Sequence, residues 1–367
     1  MHKTKEPLFH ISKRGSISGV KSVLIKALAI VLSLIVCAVV ITAATGEDPL
    51  AIFATMIKGS FGSKRKLWIF FQNTALLLLV SLAVTPAFKM RCWNLGAEGQ
   101  VLVGCLSTSA CMIVLSKSVS GPLLYPIMVL AAVVSGAVWA VIPALFKAKW
   151  NTNETLFTLM MNYVATQLVS YFVKLWENPK GSNTVGVINQ KSRIGWMPEI
   201  LNKQFFSILI ILAVMLFMYF YLKYSKHGFE ISVVGESERT ARYIGIKVEK
   251  VIVRTMLLSG AIAGLMGFIL VSGVNHTIST TISGGRGFTG VMISWMSKFN
   301  PFVMILSSAL LMFMQAGATD ISTTFGLNQS FSDILTGIII FFIIGSEFFI
   351  NYKISFNKHG KETTEHV

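Results

Sequence analysis

The sequence has little charge. Only 13% of its 367 residues are Asp, Glu, Lys or Arg, whereas a soluble domain carries about 25%. Acidic residues are the scarcer kind, with 16 Asp and Glu against 32 Lys and Arg, and 53% of the residues are hydrophobic. This composition excludes disordered, collagen-like and disulfide-scaffold chains, and it disfavours an ordinary cytosolic globule.

Cysteine and recognisable catalytic motifs are also scarce. The four cysteines form no Cys-x-x-Cys pair and lie in or near apolar runs, which favours structural thiols over a redox or metal site. The sequence contains no Gly-x-Ser-x-Gly, no His-Glu-x-x-His and no Gly-x4-Gly-Lys-Ser/Thr phosphate loop, and its histidines have no acidic partner at metal-ligand spacing. We therefore expect no metal, no cofactor and no enzymatic activity of its own.

Long apolar runs are what the chain has instead. A helix needs about 20 mostly apolar residues to cross the ~30 Å hydrocarbon core of a membrane. Ten segments approach or reach that length: 23–45, 70–88, 97–116, 122–145, 155–175, 204–223, 255–274, 288–299, 301–318 and 333–350. Segment 288–299 is short and interrupted, which also suits a re-entrant segment. The sequence predicts an all-α polytopic membrane protein with about ten transmembrane helices.

The basic residues indicate how these helices are oriented. With the N-terminus inside and ten spans, 21 of the 32 Lys and Arg residues lie on the inner side, as the positive-inside rule requires. The net charge of +16 is then explained by inner loops, without nucleic acid. We expect cytoplasmic segments at 1–22 and 351–367 around a transmembrane domain at 23–350, whose first run resembles an uncleaved signal anchor.

Polar residues at the start of the third span are the most informative for function. Residues 94–100 read Asn-Leu-Gly-Ala-Glu-Gly-Gln, and such groups persist in hydrocarbon only where they face protein or water. Asn94, Glu98 and Gln100 are therefore candidates for lining a cavity, together with Asn73 in the second span. An alternative places Glu98 and Gln100 at the membrane interface, with their polar ends in the headgroup region.

The fifth predicted span carries a polar stripe. Its members recur every four residues and share one helix face; they are Glu154, Thr158, Asn162, Thr166 and Ser170. A polar stripe of this kind either lines a water-filled path or forms hydrogen bonds with another helix. The sequence leaves both interpretations open.

Glycine and proline interrupt the chain after two intact apolar segments. One interruption, with Pro86, Gly96 and Gly99, follows segment 70–88, and the other, from Gly284 to Pro301, follows segment 255–274. Broken helices in corresponding places are typical of transporters built from inverted repeats. We therefore expect two related halves.

The segment 224–254 is rich in charges of both signs. Residues 236–243 favour a short helix that ends at Gly245. Such a helix could dock a cytoplasmic partner, and a plain solvated loop is the alternative.

Four ordered motifs carry a family resemblance. Residues 94–100 resemble the Asn-Ile-Gly-Ala-Glu-Gly-Gln signature of bacterial ABC transporter permeases for nucleosides and simple sugars. Residues 153–165, residues 241–246 and the stretch 287–301 resemble three further segments of that family, namely Asn-Glu-x3-Thr-Leu-Met-Leu-Asn-Tyr-Ile-Ala, Ala-Arg-Tyr-Ala-Gly-Ile and Gly-Phe-x-Gly…Asn-Pro. Together these matches extend over most of the chain, from about residue 23 to 350.

The resemblance implies a ten-helix permease with inverted repeats, similar to the ribose and vitamin B12 importers, in a bacterial plasma membrane. It also implies a second, different permease, an ATPase that binds the ATP, and a lipid-anchored binding protein. The pathway residues would be Asn94, Glu98, Gln100, Asn162, Thr158 and Asn73. The segment that couples the chain to the ATPase would lie at 237–246 and include Glu238, Arg239, Arg242, Tyr243 and Gly245.

Two departures from the family pattern leave the substrate open. Residues 291–297 are bulkier and more polar than the small-residue run of the family, and Trp93 follows Cys92 where the family has Gly-x-Phe. Trp295 either stacks on a base or sugar or fills a gap between helices. A permease for another small polar solute, such as a branched-chain amino acid, remains an alternative. So does an ion-coupled carrier that uses Glu98 and Glu347.

Overall fold

The chain folds almost entirely into helices. The computed structural model describes residues 9–14, 18–46, 48–199 and 201–356. The helices are α1 (Gly19–Thr45), α2 (Pro49–Phe61), α3 (Lys64–Lys89), α4 (Ala97–Val114), α5 (Gly121–Trp150), α6 (Glu154–Leu175), α7 (Phe205–Tyr224), α8 (Lys226–Glu236), α9 (Glu238–Tyr243), α10 (Val248–Ile269, continued by a π-helical turn Leu270–Asn275), α11 (Arg286–Met296), α12 (Pro301–Thr324) and α13 (Gln329–Asn351). Two short strands, β1 (Phe9–Lys13) and β2 (Tyr352–Phe356), lie next to α1 and α13 in sequence.

Nine helices in the described part of the chain are long and apolar enough to cross a membrane. They coincide with nine of the ten predicted spans, and the exception is segment 288–299. Its place is taken by α11, which has 11 residues and is therefore only ~16 Å long, about half of the hydrocarbon thickness. The short apolar helix α2 was not predicted.

The chain divides into two compact units. The described residues before Lys64 and after Met312 form the first unit, and Lys64–Met312 form the second. In the first unit α1 packs against α13, and Lys26 forms an ion pair of 2.8 Å with Glu347. Strand β1 pairs with β2 in antiparallel register, so the start of α1 and the end of α13 lie on the same side of this unit.

The second unit is organised around α10, which packs against α5, α4 and α3. Gly260 and Gly264 of α10 have the small-x3-small spacing that lets helix backbones approach closely. A Cβ added to Gly264 would overlap the Ala132 carbonyl of α5, and one added to Gly136 of α5 would lie 2.7 Å from the Gly264 Cα. These helices therefore meet backbone to backbone.

Several helix ends meet on one side of the second unit. The Lys89 Nζ at the end of α3 donates to the carbonyl of Leu222 near the end of α7, at 3.5 Å. Helix α12 starts on this side, because the rings of Tyr219 and Phe302 lie 5.0 Å apart. Helix α8 follows α7 directly and so lies on the same side. We refer to this side as the α3/α7 end.

Helix α10 also starts at the α3/α7 end. Arg254, in the second turn of α10, forms an ion pair of 2.7 Å with Glu230 of α8. Because α10 and α12 both start there, the intervening residues 276–300 must return across the unit.

Helix α11 is the second half of that return. Arg286 at its start contacts Asn73 of α3, and Ser294 near its end contacts Thr85 of α3 at 3.0 Å. Helix α11 therefore runs parallel to α3, from a level about 14 Å into α3 towards the α3/α7 end. The tenth predicted crossing exists as a broken one, in which residues 276–285 precede a half-length helix.

The opposite end of the second unit is closed by the long segment 176–204. The Met197 N–H donates to the Ser272 carbonyl at 2.9 Å, and the Ile188 N–H donates to the His276 carbonyl at 2.8 Å. The ring of Trp196 stacks on His276 with centroids 3.7 Å apart. This segment therefore rests on the π-helical turn of α10, a type of turn that is frequent at functional sites.

Candidate functional site

The N-termini of α4 and α11 meet inside the second unit. Glu98 lies in the first turn of α4, and its carboxylate accepts hydrogen bonds from the backbone N–H groups of Gly285 at 3.1 Å and Gly287 at 2.8 Å. The first N–H groups of a helix have no partner within that helix, and an anion there is favoured by the helix dipole. Glu98 therefore caps a half-helix that lies almost two hundred residues away in sequence.

Glycine makes this close approach possible. A Cβ on Gly287 would lie 2.6 Å from the Glu98 nitrogen and 2.7 Å from its Oε2. Gly285 is the residue that precedes α11, and its φ of +71° is a conformation that glycine adopts without steric cost. A side chain at position 287 would therefore separate Glu98 from the helix that it caps, whereas a Cβ at position 285 meets nothing within 4 Å and is disfavoured only by the positive φ.

Arg286 connects the same half-helix to α3. Its Nη2 donates to the Asn73 Oδ1 at 3.2 Å, and its Nη1 donates to the Ser283 carbonyl at 3.3 Å. Arg286 was not among the predicted site residues. The signal that could have identified it is an arginine inside a glycine-rich break between apolar segments, since charged residues at membrane depth are costly and usually functional.

Asn94 ties the turn before α4 to α10. Its side chain is fully buried, and its Nδ2 donates to the Ser259 Oγ at 3.0 Å. Its Oδ1 accepts from the Gly96 N–H at 3.0 Å and from the Gln100 Nε2 at 3.2 Å. Asn94 therefore fixes both the shape of the turn and its position against α10. Ser259 was also missed, because a single serine in an apolar helix is a weak signal.

The polar stripe of α6 contacts the same turn from the other side. Thr158 Oγ1 accepts from the Leu95 N–H at 3.2 Å. Asn162 donates to the Leu95 carbonyl and accepts from the Gly99 N–H, both at 2.8 Å. Buried backbone groups need such partners. These contacts correspond to the helix-to-helix alternative for Thr158 and Asn162.

The six predicted pathway residues thus fall into two groups. Four are buried: Asn94, Gln100, Thr158 and Asn162. Asn94, Thr158 and Asn162 form hydrogen bonds between chain segments, whereas Gln100 donates to Asn94 through its Nε2 and its buried Oε1 has no partner within the described residues. The other two, Glu98 and Asn73, are partly exposed and lie together with Arg286 at the meeting of α3, α4 and α11.

An aromatic pair lies towards the α3/α7 end. Trp93 stacks on Trp295 of α11 with ring centroids 5.7 Å apart, and Phe88 contacts both rings edge-on. Phe88 is buried, whereas Trp93 is 47% exposed and Trp295 is 45% exposed. Trp295 therefore packs against its neighbours and still presents almost half of its surface.

The short helix predicted in the charged segment 224–254 is confirmed as α9. The Ser237 Oγ caps it by accepting from the Thr240 N–H at 3.2 Å, and Gly245 follows it with a φ of +86°. Among the predicted coupling residues, Arg242 forms an ion pair of 2.6 Å with Glu249, and Tyr243 is 92% exposed. Glu238 and Arg239 lie in the first turns of this helix.

A charged groove lies beside α9. It is lined by Lys226, Glu230, residues 244–247, Lys250, Val251 and Arg254. The hydrogen bond from Arg254, reinforced by His227, holds the pKa of the Glu230 carboxyl below its usual range. Glu230 is therefore ionised at neutral pH, within an otherwise basic surface.

Within the residues that the structure describes, no group of three or more His, Cys, Asp or Glu side chains is placed to hold a metal ion. The cysteines are free thiols; Cys37, Cys92 and Cys105 are buried, and Cys111 is partly buried. The candidate functional features of this fold are the contact between α4 and α11 and the exposed helix α9.

Long apolar helices around a polar junction between α4 and the half-length helix α11 define a multi-pass membrane transport protein. The chain belongs to the family described as "Branched-chain amino acid transport system / permease component", which matches residues 68–344. It is thus a permease component, a subunit that provides a path through the membrane.

Three relatives extend over almost the whole chain. It is 29% identical to the glucose ABC transporter permease protein TsgB13 of Haloferax volcanii, with 87% of each chain covered. It is 28% identical to the guanosine ABC transporter permease protein NupP of Bacillus subtilis, over 88% of this chain and 93% of the relative. It is 26% identical to the nucleoside ABC transporter permease protein NupB of Lactococcus lactis, over 88% and 91%. No solved structure matches the chain.

Proposed function

We propose that this chain is the permease subunit of an ATP-driven importer for a nucleoside or simple sugar. The observation that carries the proposal is the junction of α4 and α11 at Glu98. In many transporters the substrate site is formed by discontinuous helices whose N-termini lie within the membrane. The names of the relatives, which include glucose, guanosine and nucleoside permeases, support this substrate class.

Glu98, Asn73 and the newly found Arg286 are the polar side chains that a substrate meets at this junction. Their amide, carboxylate and guanidinium groups suit the hydroxyls of a sugar ring. The turn before α4, beside this junction, is held by the hydrogen bonds of four other side chains: Asn94, Gln100, Thr158 and Asn162. Alternating access then consists of α4 and α11 moving apart and back as the surrounding helices rock.

The energy for import comes from a partner. The chain has no phosphate loop of its own, so a cytoplasmic ATPase binds and hydrolyses the ATP, and the permease itself needs no cofactor. Helix α9 is the contact with that ATPase, because it presents Tyr243 and Ile244 to solvent next to the charged groove. A second, different permease completes the pathway, and a lipid-anchored binding protein delivers the substrate from outside.

Both termini are placed in the cytoplasm. The pairing of β1 with β2 supports a common side for the two ends, and the excess of Lys and Arg in the predicted inner loops supports the inner side. The seven Lys and Arg residues from Lys223 to Arg254 independently favour the cytoplasmic side for the α3/α7 end, with α8 and α9. The segment 176–204 faces outward, where a binding protein would dock.

Uptake by the assembled importer tests this function. The complex would be isolated with its partners and reconstituted into vesicles, and the accumulation of labelled guanosine and glucose would be measured with and without ATP. We expect uptake of at least one of them that requires ATP and is insensitive to ionophores. Uptake that follows an imposed proton or sodium gradient without ATP would instead show an ion-coupled carrier.

A further inference from the structure

Helix α11 leaves one of its faces exposed. Gly284 and Gly285, just before the helix, are exposed, and Phe288 is 47% and Trp295 45% exposed. At 100° per residue Phe288 and Trp295 lie on a single face of α11, together with the partly exposed Val291 and Met292, and the two glycines lie at the N-terminal end of the helix. The opposite face, with Gly287, Gly290, Ile293 and Ser294, is buried.

This face does not border lipid. At the N-terminal end of α11 the backbone of Gly284 and Gly285 is exposed, and the partly exposed Glu98 and Arg286 lie beside it. Hydrocarbon cannot satisfy backbone polar groups or charged side chains, so irregular backbone at membrane depth occurs only against protein or a water-filled cavity. The aromatic residues lower on the same face therefore border the same non-lipid space.

The aromatic rings on this face are held rigidly. Trp93 lies against Trp295 at an interplanar angle of 30°, and the buried Phe88 contacts Trp295 at 6.1 Å, nearly perpendicular to it. Phe299 braces Trp295 from the next turn at 5.5 Å. A ring that is already fixed loses little conformational entropy when a planar partner stacks on it.

We propose that the exposed face of α11 is a stacking surface for the heterocyclic base of a nucleoside. Phe288 and Trp295 are seven residues apart, about 10 Å along the helix, so a base meets them one after the other on its way through. The sugar hydroxyls bind to Glu98 and Arg286 while the base lies on Phe288. The Trp93–Trp295 pair is the last aromatic contact before the α3/α7 end. This assignment rests on the proposed function and selects, within it, a substrate that carries an aromatic base.

Photolabelling of the assembled importer during turnover tests the location. The probe is 8-azidoadenosine, with the labelled peptides identified by mass spectrometry. We expect label on residues 286–299, reduced by excess adenosine and unaffected by ribose. In the same preparation, Trp295→Leu should lower adenosine uptake per complex about tenfold, as the loss of one base–aromatic stack implies, while Trp295→Phe should retain most of it.

Trp150→Leu is the matched control. Trp150 lies at the end of α5, is 63% exposed and contacts Phe146 at 5.1 Å, as an interfacial tryptophan does. Its replacement should change neither the label nor the uptake. An equal loss in Trp150→Leu and Trp295→Leu would show that the two tryptophans act only as membrane-interface anchors, and it would overturn the inference.

Four other outcomes would also overturn it, and they separate it from the proposed function. Label that maps elsewhere, with normal adenosine uptake by Trp295→Leu, excludes the stacking surface. A lower yield of complex with unchanged uptake per complex would assign the face to the second permease. ATP-driven uptake of glucose without any nucleoside uptake would refute base stacking and leave the proposed function intact, whereas no uptake of either class would refute both.

Discussion

At the scale of single residues, Glu98 is the side chain that joins α4 to the half-length helix α11. One carboxylate caps α11 through two backbone hydrogen bonds while it belongs to the first turn of α4. A carboxylate in this position accepts hydrogen bonds from two N–H groups that would otherwise have no partner. Its charge also lies at the positive ends of two helix dipoles. The junction therefore depends on the charge of Glu98 as well as on its acceptor atoms.

Glu98→Ala should destabilise the protein by about 1–3 kcal/mol, because it leaves two N–H groups at the start of α11 without a partner. Glu98→Gln keeps one acceptor and should cost less. Thermal unfolding of the purified protein measures both. The matched control is Glu177→Ala, which removes a carboxylate that accepts from the N–H groups of Gly181 and Asn183 in an exposed loop. If the control costs as much as Glu98→Ala, the junction has no special role in stability.

His276, at the end of the second unit that segment 176–204 closes, makes the stability of the protein depend on pH. Burial, and secondarily the charge of Lys203, holds the pKa of His276 below its usual value, so folding favours the neutral imidazole. Its contribution to stability is therefore present above about pH 6.5 and is lost as the pH falls through the lowered pKa.

We expect the unfolding temperature to fall between pH 7.5 and pH 5, and to fall less steeply in His276→Asn. Asparagine does not titrate, and it tolerates the positive φ of 53° at this position. The measurement is thermal unfolding of both proteins over this pH range. Parallel pH profiles of the two would assign the acid sensitivity to other groups.

At the scale of elements, the contact between α10 and α5 is made of backbone. Gly260 and Gly264 of α10 lie against Gly136 and its neighbours on α5 without intervening side chains. Helices in a membrane have no hydrophobic drive towards each other, so close packing of small residues supplies the association. The position of α10, and with it Ser259 next to Asn94, follows from these glycines.

Gly264→Val should therefore destabilise the second unit by about 1–3 kcal/mol through overpacking, because its Cβ would overlap the Ala132 carbonyl. The control is Gly337→Ala in α13, whose added Cβ meets nothing within 4 Å and should be neutral or stabilising by ~0.5–1 kcal/mol. Thermal unfolding in detergent distinguishes them. Similar unfolding temperatures for the two variants would contradict the close contact.

Helix α9 exposes most of its residues at the surface. Ala241 is its buried contact, and Tyr243 is almost fully exposed. Tyr243→Ala should leave stability within ~0.5 kcal/mol and lower ATP-driven uptake about tenfold, as the loss of a central contact residue at an interface does. Uptake per complex is the measurement, with Tyr171→Ala as control at a tyrosine of α6 that is also exposed, at 64%. Unchanged uptake by Tyr243→Ala would exclude α9 as the contact with the ATPase.

At the scale of the whole molecule, the number of crossings decides which side each end occupies. Nine crossings by the long helices of the described residues would put β1 and β2 on opposite sides of a membrane, whereas these two strands are paired. The broken crossing that ends in α11 supplies the tenth passage and removes the conflict. The even number of crossings is thus a consequence of α11.

Cysteine labelling tests this topology. Ser12→Cys and Lys353→Cys, each made separately, should react with a membrane-impermeant maleimide only in inverted vesicles. Asn183→Cys in segment 176–204 should react only in intact cells, because five long helices, α1 and α3 to α6, lie between β1 and this segment, and an odd number of crossings leads to the other face. Reaction of the first two from opposite sides would contradict the ten-crossing topology.

Much of the fold could be predicted from the sequence. Nine of the ten predicted spans match long helices, and α9 forms where a helix was predicted and stops at Gly245. These features follow from local properties, since apolar length determines which segments can cross hydrocarbon and glycine determines where a helix can end. The composition and motifs also sufficed to identify a transport subunit.

Tertiary structure alone decided which polar groups meet. Among the predicted pathway residues, the polar atoms of Asn94, Thr158 and Asn162 form hydrogen bonds between chain segments, whereas the Gln100 Nε2 donates to Asn94 in the turn before its own helix. The partnership of Arg286 with Asn73 was not predicted at all. The sequence pattern shows that a polar residue lies in an apolar segment. Its hydrogen-bond partner, however, depends on how helices separated by some two hundred residues pack together. The low charge of the sequence thus determined that this protein lies in a membrane, and the packing of α3, α4, α10 and α11 decided where its few buried polar groups act.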